Sequence, residues 1–266
     1  MCLLVVLSRV HADFPLVVAA NRDELLERPA VPMTVLRERG PRILGGKDEL
    51  AGGTWLAVNE HGVVAGLTNR PMPDGRDTTK RSRGDLPLFL AEHTSALVAA
   101  AAARDTLVPS DYNPCWLLVG DRTDLFAVDM TGSGAPVITE LPPGVHILEN
   151  RSITAPTPKT AHVRRLLDDI ASVPGSALVD RLRAVMSDHQ VPDGWLEAVG
   201  TDDKGREVPP EVGAPCVHTE KFGTRWSGIV TVPRGSGEAP TVRYADGPPC
   251  TVDYADASAL WRQAAR

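Results

Sequence analysis

Cysteine stands at position 2, directly behind the initiator methionine. A small second residue favours removal of that methionine, and the exposed Cys2 would then carry a thiol and a free α-amine: a nucleophile with its own base. An α-amine titrates near about 7.7–8.0 and a thiol near about 8.5, so at neutral pH the amine can accept the thiol proton directly or through a water. Further along, Asn21-Arg22-Asp23-Glu24 closes an apolar run. If residues 2–7 and 16–20 pair as a hairpin about His11 and Ala12, Leu7 faces Leu16, Val5 faces Val18, and Cys2 lies opposite Asn21, with Asp23 a diagonal step away. In that register Asp23 can hold the α-amine. Asn21 and Asp23 share one strand face and Arg22 takes the other. A second group, Lys80-Arg81-Ser82-Arg83, is a short cationic cluster suited to an acidic group on a substrate.

Other candidates carry less. The histidines, at positions 11, 61, 93, 146, 162, 189 and 218, show no ligand spacing, so no metal site is expected. Cys115, Cys216 and Cys250 lie far apart without a CxxC pair and read as buried strand residues rather than ligands. Sparse cysteines of this kind fit a reducing cytoplasm. Gly132-Ser133-Gly134 lacks the third glycine of a nucleotide fingerprint and reads as a turn. Asn150-Arg151-Ser152 has the form of a glycosylation sequon, but no secretory leader accompanies it.

The whole chain has 266 residues, of which 42% are hydrophobic, enough to bury a sizeable core. Length alone does not decide between one domain and two; a single domain over residues 1–266 is the expectation. Its net charge of -6 argues against nucleic acid as a partner. No apolar run approaches the roughly 20 residues of a membrane span. The apolar start, residues 2–7, lacks a basic leader and reads as a strand. Partners are expected to be small molecules, and self-association is left open.

Around the candidate residues the pattern is mostly hairpins. Residues 54–59 and 63–69 form a second hairpin across Glu60-His61-Gly62. Residues 86–92 and 95–104 read as two helices, the latter set by alanine propensity. Strands are expected at 115–120, 125–130, 136–141 and 146–150. Helices follow at 159–170 and 177–186, then a loop over 192–215, strands at 225–232, 241–244 and 251–254, and a terminal helix at 257–265. Hairpins outnumber crossovers, which favours an α+β fold of mainly antiparallel sheets flanked by helices over a parallel doubly wound sheet.

The segments Met1-Cys2, Asn21-Arg22-Asp23-Glu24, Gly52-Gly53-Thr54-Trp55-Leu56, Leu67-Thr68-Asn69, Arg81-Ser82-Arg83-Gly84, Leu148-Glu149-Asn150 and Phe222-Gly223-Thr224-Arg225 resemble, in order, the motifs of the NRDE family. That family is similar to N-terminal-nucleophile hydrolases of the choloylglycine hydrolase and penicillin V acylase type. The resemblance implies a four-layer αββα sandwich and a cysteine amidohydrolase or acyltransferase working through an acyl-enzyme on Cys2. It implies Asp23 as the residue orienting the amine, Asn69 and Asn150 as amides near the oxyanion, and Arg225 as a cation beside the thiolate. Amide donors at strand ends suit that role, because acyl transfer develops negative charge on a carbonyl oxygen. Asn21, Arg22 and Arg83 are expected to contact the substrate. No cofactor is implied for such an enzyme. Animal relatives are associated with haem trafficking and lipid metabolism, so the alternative is a non-enzymatic carrier of haem or lipid on the same fold.

Overall fold

A computed structural model describes residues 2–72, 75–199 and 207–262. The chain opens with strands β1 (Leu3–Ser8), β2 (Leu16–Leu25), β3 (Ala30–Arg37), β4 (Ile43–Asp48), β5 (Leu56–Asn59) and β6 (Val64–Asn69). Helices α1 (Asp85–Ala91) and α2 (Ala96–Thr106) lead into β7 (Cys115–Gly120), β8 (Leu125–Asp129), β9 (Val137–Glu140) and β10 (Gly144–Leu148). Then come α3 (Pro158–Leu166), α4 (Gly175–Met186), α5 (Trp195–Val199), β11 (Phe222–Val232), β12 (Thr241–Ala245) and β13 (Ala255–Asp256). Among the described residues the strands of both sheets pair antiparallel throughout: one sheet runs β10-β1-β2-β11-β12-β13, the other β3-β4-β5-β6-β7-β8-β9. No helix among the described residues is long and apolar enough to cross a membrane.

The four layers follow from side-chain alternation. Leu4, Val6, Val18 and Ala20 enter the core between the sheets, whereas Leu3, Val5, Leu7, Val17 and Ala19 meet α3 and α4 on the outer face. Both faces of β1 and β2 are therefore buried, and both strands read as continuous apolar runs. On the other sheet, Ala96, Ala99, Ala100 and Ala103 form one stripe of α2, and their small side chains let the helix lie close on β7 and β8. Ser95 caps α2, and a reciprocal Thr157–Thr160 capping box starts α3.

The fold class is as expected, with differences in detail. The β1–β2 register is displaced by one residue: Leu7 pairs with Val17, Ser8 with Leu16 and Leu3 with Asn21. The Arg9 N–H donates to the Pro15 carbonyl at 2.6 Å in the same register, so the turn centres on Ala12 rather than between His11 and Ala12. With apolar residues on both faces, no alternation in the sequence specifies the register. Strands β3 and β4, each lacking a clean apolar alternation, were not expected at all. The segment 192–215 contains α5 and a short 3-10 turn, Pro210–Gly213, instead of being loop throughout; residues 200–206 lie outside the described residues. The strand expected at 251–254 is a turn, with β13 following it, and the terminal helix reduces to one 3-10 turn, Ser258–Trp261, residues 263–266 being outside the description.

One contact brings two of the motif segments together. Gly53 has φ +73°, and a Cβ there would lie 2.4 Å from the Gly84 carbonyl carbon, while the next residue, Thr54, donates its N–H to the Gly84 oxygen at 3.0 Å. Gly52 has a similar φ of +67° but open space around it. Gly52→Ala should therefore cost only the left-handed penalty of about 1–2 kcal/mol, and Gly53→Ala clearly more, read as the difference between their urea unfolding midpoints.

Candidate functional site

Cys2 precedes β1 and sits where two adjoining clefts of about 540 and 280 Å³ meet. Asn69, at the end of β6, and Arg83, just before α1, line both clefts with it. Arg22 faces the larger cleft, and Asp23 and Asn150 the smaller. The alternation of β2 separates the neighbours: Arg22 and Glu24 follow Ala20 toward the space between the sheets, where Glu24 borders both clefts, while Asn21 and Asp23 turn to the helical side.

The surroundings of the nucleophile candidate shift its thiol upward. Burial raises the Cys2 thiol above its usual value, and the Asp23 charge raises it further; the Asp23 backbone N–H and Arg22 act in the lowering direction. The net direction is upward, so the thiol needs a base close by to react at neutral pH. Asp23 lies on β2 with its Oδ1 accepting from Thr224 Oγ1 at 2.6 Å. Asn150 donates its Nδ2 to the backbone carbonyl of Asn69, which locks the two asparagines side by side. The side-chain oxygens of both are buried and have no hydrogen-bond partner among the described residues.

Charge dominates the larger cleft. Arg22 reaches Asp48 Oδ2 at 3.0 Å and lies 4.5 Å from the ring centre of Trp55, with its side chain only 5% exposed. Arg28 grips the same carboxylate at 2.7 and 3.2 Å, and the Leu50 and Ala51 N–H groups donate to its other oxygen. Burial alone would raise the Asp48 carboxyl, but the Arg28 hydrogen bond, the Ala51 N–H and the charges of Arg28 and Arg22 outweigh it and hold it below the usual carboxylate value. Arg76, Lys80 and Arg81 add further positive charge to the wall. Burial and neighbouring Arg76 pull the Arg83 guanidinium below its usual value, while Cys115 and Cys2 oppose this.

Two expectations are corrected. Arg225 does not stand beside the thiol: it occupies the bulge where β11 slips against β2, and its guanidinium donates to the Leu25, Leu26 and Arg28 carbonyls. Asn21 lines neither cleft. Its Nδ2 donates at 2.9 Å each to the Met186 and Pro215 carbonyls, clamping the end of α4 and the segment before β11. Asp48, Arg28 and Trp55 were missed as site residues. Trp55 falls within one of the motif segments, but Asp48 ends a strand that the hydropathy pattern did not reveal.

A family profile described as Transport and Golgi organisation 2 matches residues 1–239. The Transport and Golgi organization protein 2 homolog of Bos taurus is 30% identical over 236 residues, 82% of each chain. The Homo sapiens homolog is 28% identical over 236 residues, again 82% of each. Among solved structures, the C2A mutant of the conjugated bile acid hydrolase from Clostridium perfringens superposes with a TM-score of 0.52 at 12% identity, over 97% of this chain and 93% of that one. The Caenorhabditis elegans ortholog of N-acylethanolamine-hydrolyzing acid amidase gives 0.54 at 12%, over 89% and 93%. At such identities the likeness is one of fold.

The Asp48 network has a pH signature. A carboxylate whose folded pKa lies below its unfolded value adds stability that is present above the unfolded pKa and lost as pH falls through the folded one. The urea midpoint of the wild type should therefore drop as pH is lowered from about 6 to about 3. Asp48→Asn should be less stable at neutral pH and show a shallower drop over the same window.

Proposed function

This chain belongs to the Transport and Golgi organisation 2 family, and we propose that it is an N-terminal-cysteine amidohydrolase or acyltransferase that forms an acyl-enzyme on Cys2. The observation that carries this reading is the position of Cys2 where two clefts meet, with Asn69 and Arg83 lining both. The fold shared with a conjugated bile acid hydrolase and an acid amidase supports it, and the bile acid hydrolase solved as a C2A mutant also has a cysteine at its second position.

Removal of Met1 frees the Cys2 α-amine. The amine takes the thiol proton, Sγ bonds to the substrate carbonyl carbon, and the carbonyl electron pair moves onto oxygen. Asn69 and Asn150 face that oxyanion, and Asp23 orients the ammonium. On collapse the leaving amine or thiol departs with the ammonium proton, and a thioester remains on Cys2. Water releases the acid in hydrolysis; a second nucleophile takes the acyl group in transfer. Arg22 lies against Trp55 and Asp48 and shapes the wall beside the thiol. Six cations (Arg22, Arg28, Arg76, Lys80, Arg81 and Arg83) face three carboxylates (Glu24, Asp48 and Asp77) in the larger cleft. That balance suits an acyl amide or thioester bearing an acidic group better than an uncharged lipid.

A panel of acyl amides and acyl thioesters, with trapping of the adduct by intact-mass spectrometry, tests the reading. Cys2→Ser should nearly abolish turnover, and Asn69→Ala should lower kcat by about 10²- to 10³-fold. Arg83→Gln should raise KM for acidic substrates more than for neutral ones. If no adduct forms and haem or lipid binds wild type and Cys2→Ala alike, a carrier role replaces the enzyme.

A further inference from the structure

Four side chains far from one another in sequence meet behind β2: His189 after α4, Cys216 and His218 before β11, and Cys250 in the turn after β12. None of them lines either cleft. The expectation that these histidines lack a ligand arrangement, and that Cys216 and Cys250 are separate strand residues, is therefore corrected: neither cysteine is on a strand, and each lies within reach of the same histidine.

The distances match one chemistry. Cys216 Sγ is 3.8 Å from Cys250 Sγ, and His218 Nε2 is 3.6 Å and 3.2 Å from the two sulfurs. Metal–sulfur bonds of about 2.3 Å in a tetrahedron place two sulfurs about 3.8 Å apart, and a nitrogen bound at about 2.0 Å about 3.5 Å from each. All four ligand atoms fall within 4.8 Å of one another, and His189 is exposed, with room to close the remaining gap. His189 Nδ1 contacts the Cys216 carbonyl at 3.1 Å; an N–H donated there leaves Nε2 for a metal, the outer hydrogen bond that metal-bound histidines commonly make. Two thiolates and two imidazoles in a tetrahedron are a zinc donor set.

We propose that His189, Cys216, His218 and Cys250 bind a structural Zn²⁺ ion. On binding, both thiols release their protons to solvent and both imidazoles coordinate as neutral donors, so the dication is balanced by two thiolates. The ion ties the loop after α4, the segment before β11 and the turn after β12 into one unit. That unit supports the candidate site: the Val217 N–H donates to Thr224 Oγ1 at 2.9 Å, and Thr224 Oγ1 donates to Asp23. Asn21 holds the same segment through the Pro215 carbonyl.

The test uses the full chain without a histidine tag, purified under anaerobic reducing conditions. Elemental analysis should find one zinc per chain, and chelation should lower Tm. Cobalt(II) added to the chelated protein should give the thiolate charge-transfer band and intense visible bands of a tetrahedral centre. The double variant Cys216→Ser, Cys250→Ser should lose both signals, and Cys115→Ser, altering a buried thiol on β7, should keep them. His218→Gln, an exposed position, should lose metal on dialysis and stands in should the double variant not fold. Failure of the reduced wild type to take up zinc or cobalt overturns the proposal. So does metal retained by the variants, or a Cys216–Cys250 disulfide in the anaerobically purified chain.

Discussion

The period of two along β2, a strand buried on both faces between β1 and β11, is the constraint on which the rest of the site depends. Past Ala20 the alternation continues while the residues become polar, so neighbouring side chains are delivered to opposite sides of the same sheet. Arg22 and Glu24 enter the cleft between the sheets; Asn21 and Asp23 enter the helical side and hold the segment that carries Cys216 and His218. A displacement of this strand by one residue would exchange those two sets, placing an arginine among helices and an aspartate among arginines. Pairing with β11 over ten positions fixes it against such a slip, and the bulge at Arg225 absorbs the irregularity outside the cleft.

Electrostatics in the cleft follow from that geometry. A guanidinium as buried as Arg22 requires a compensating charge, and Asp48 supplies it while also holding Arg28. Trp55 covers the other face of Arg22, and its own strand entry is fixed by the Gly53–Gly84 approach. The segments around residues 22, 48, 54 and 83 are thus parts of one packed unit, which explains why short motifs so far apart in the chain occur together. The same burial that orders this unit also raises the Cys2 thiol. A nucleophile in such a place gains from a base on its own residue, which is the chemical advantage of a terminal cysteine.

Much was determined by sequence alone. The apolar runs and turn residues set the hairpins of β5–β6 and β7–β8 and the spacing of α1, α2 and α4, and their order decides the antiparallel layered architecture. The division of Asn21 and Asp23 from Arg22 follows from strand alternation, and Cys2, Asp23, Asn69, Asn150, Arg22 and Arg83 line one or both clefts. Local pattern suffices for the hairpins, the helices and the alternation of β2, because each depends on neighbours in the chain; the gathering at the clefts was implied only by the family resemblance. Other features were decided only by tertiary structure. The β1–β2 register depends on turn geometry, since both strands are apolar throughout. Strands β3 and β4 bury Met33, Ile43 and Leu44 without a regular alternation that would mark them as strands, so the position of Asp48 was hidden with them. Arg225 is turned away by a bulge that exists only when β11 pairs with β2. The gathering of His189, Cys216, His218 and Cys250 has no spacing signature, because three separate loops bring the four side chains together and only the packed sheets and helices set the distances between those loops.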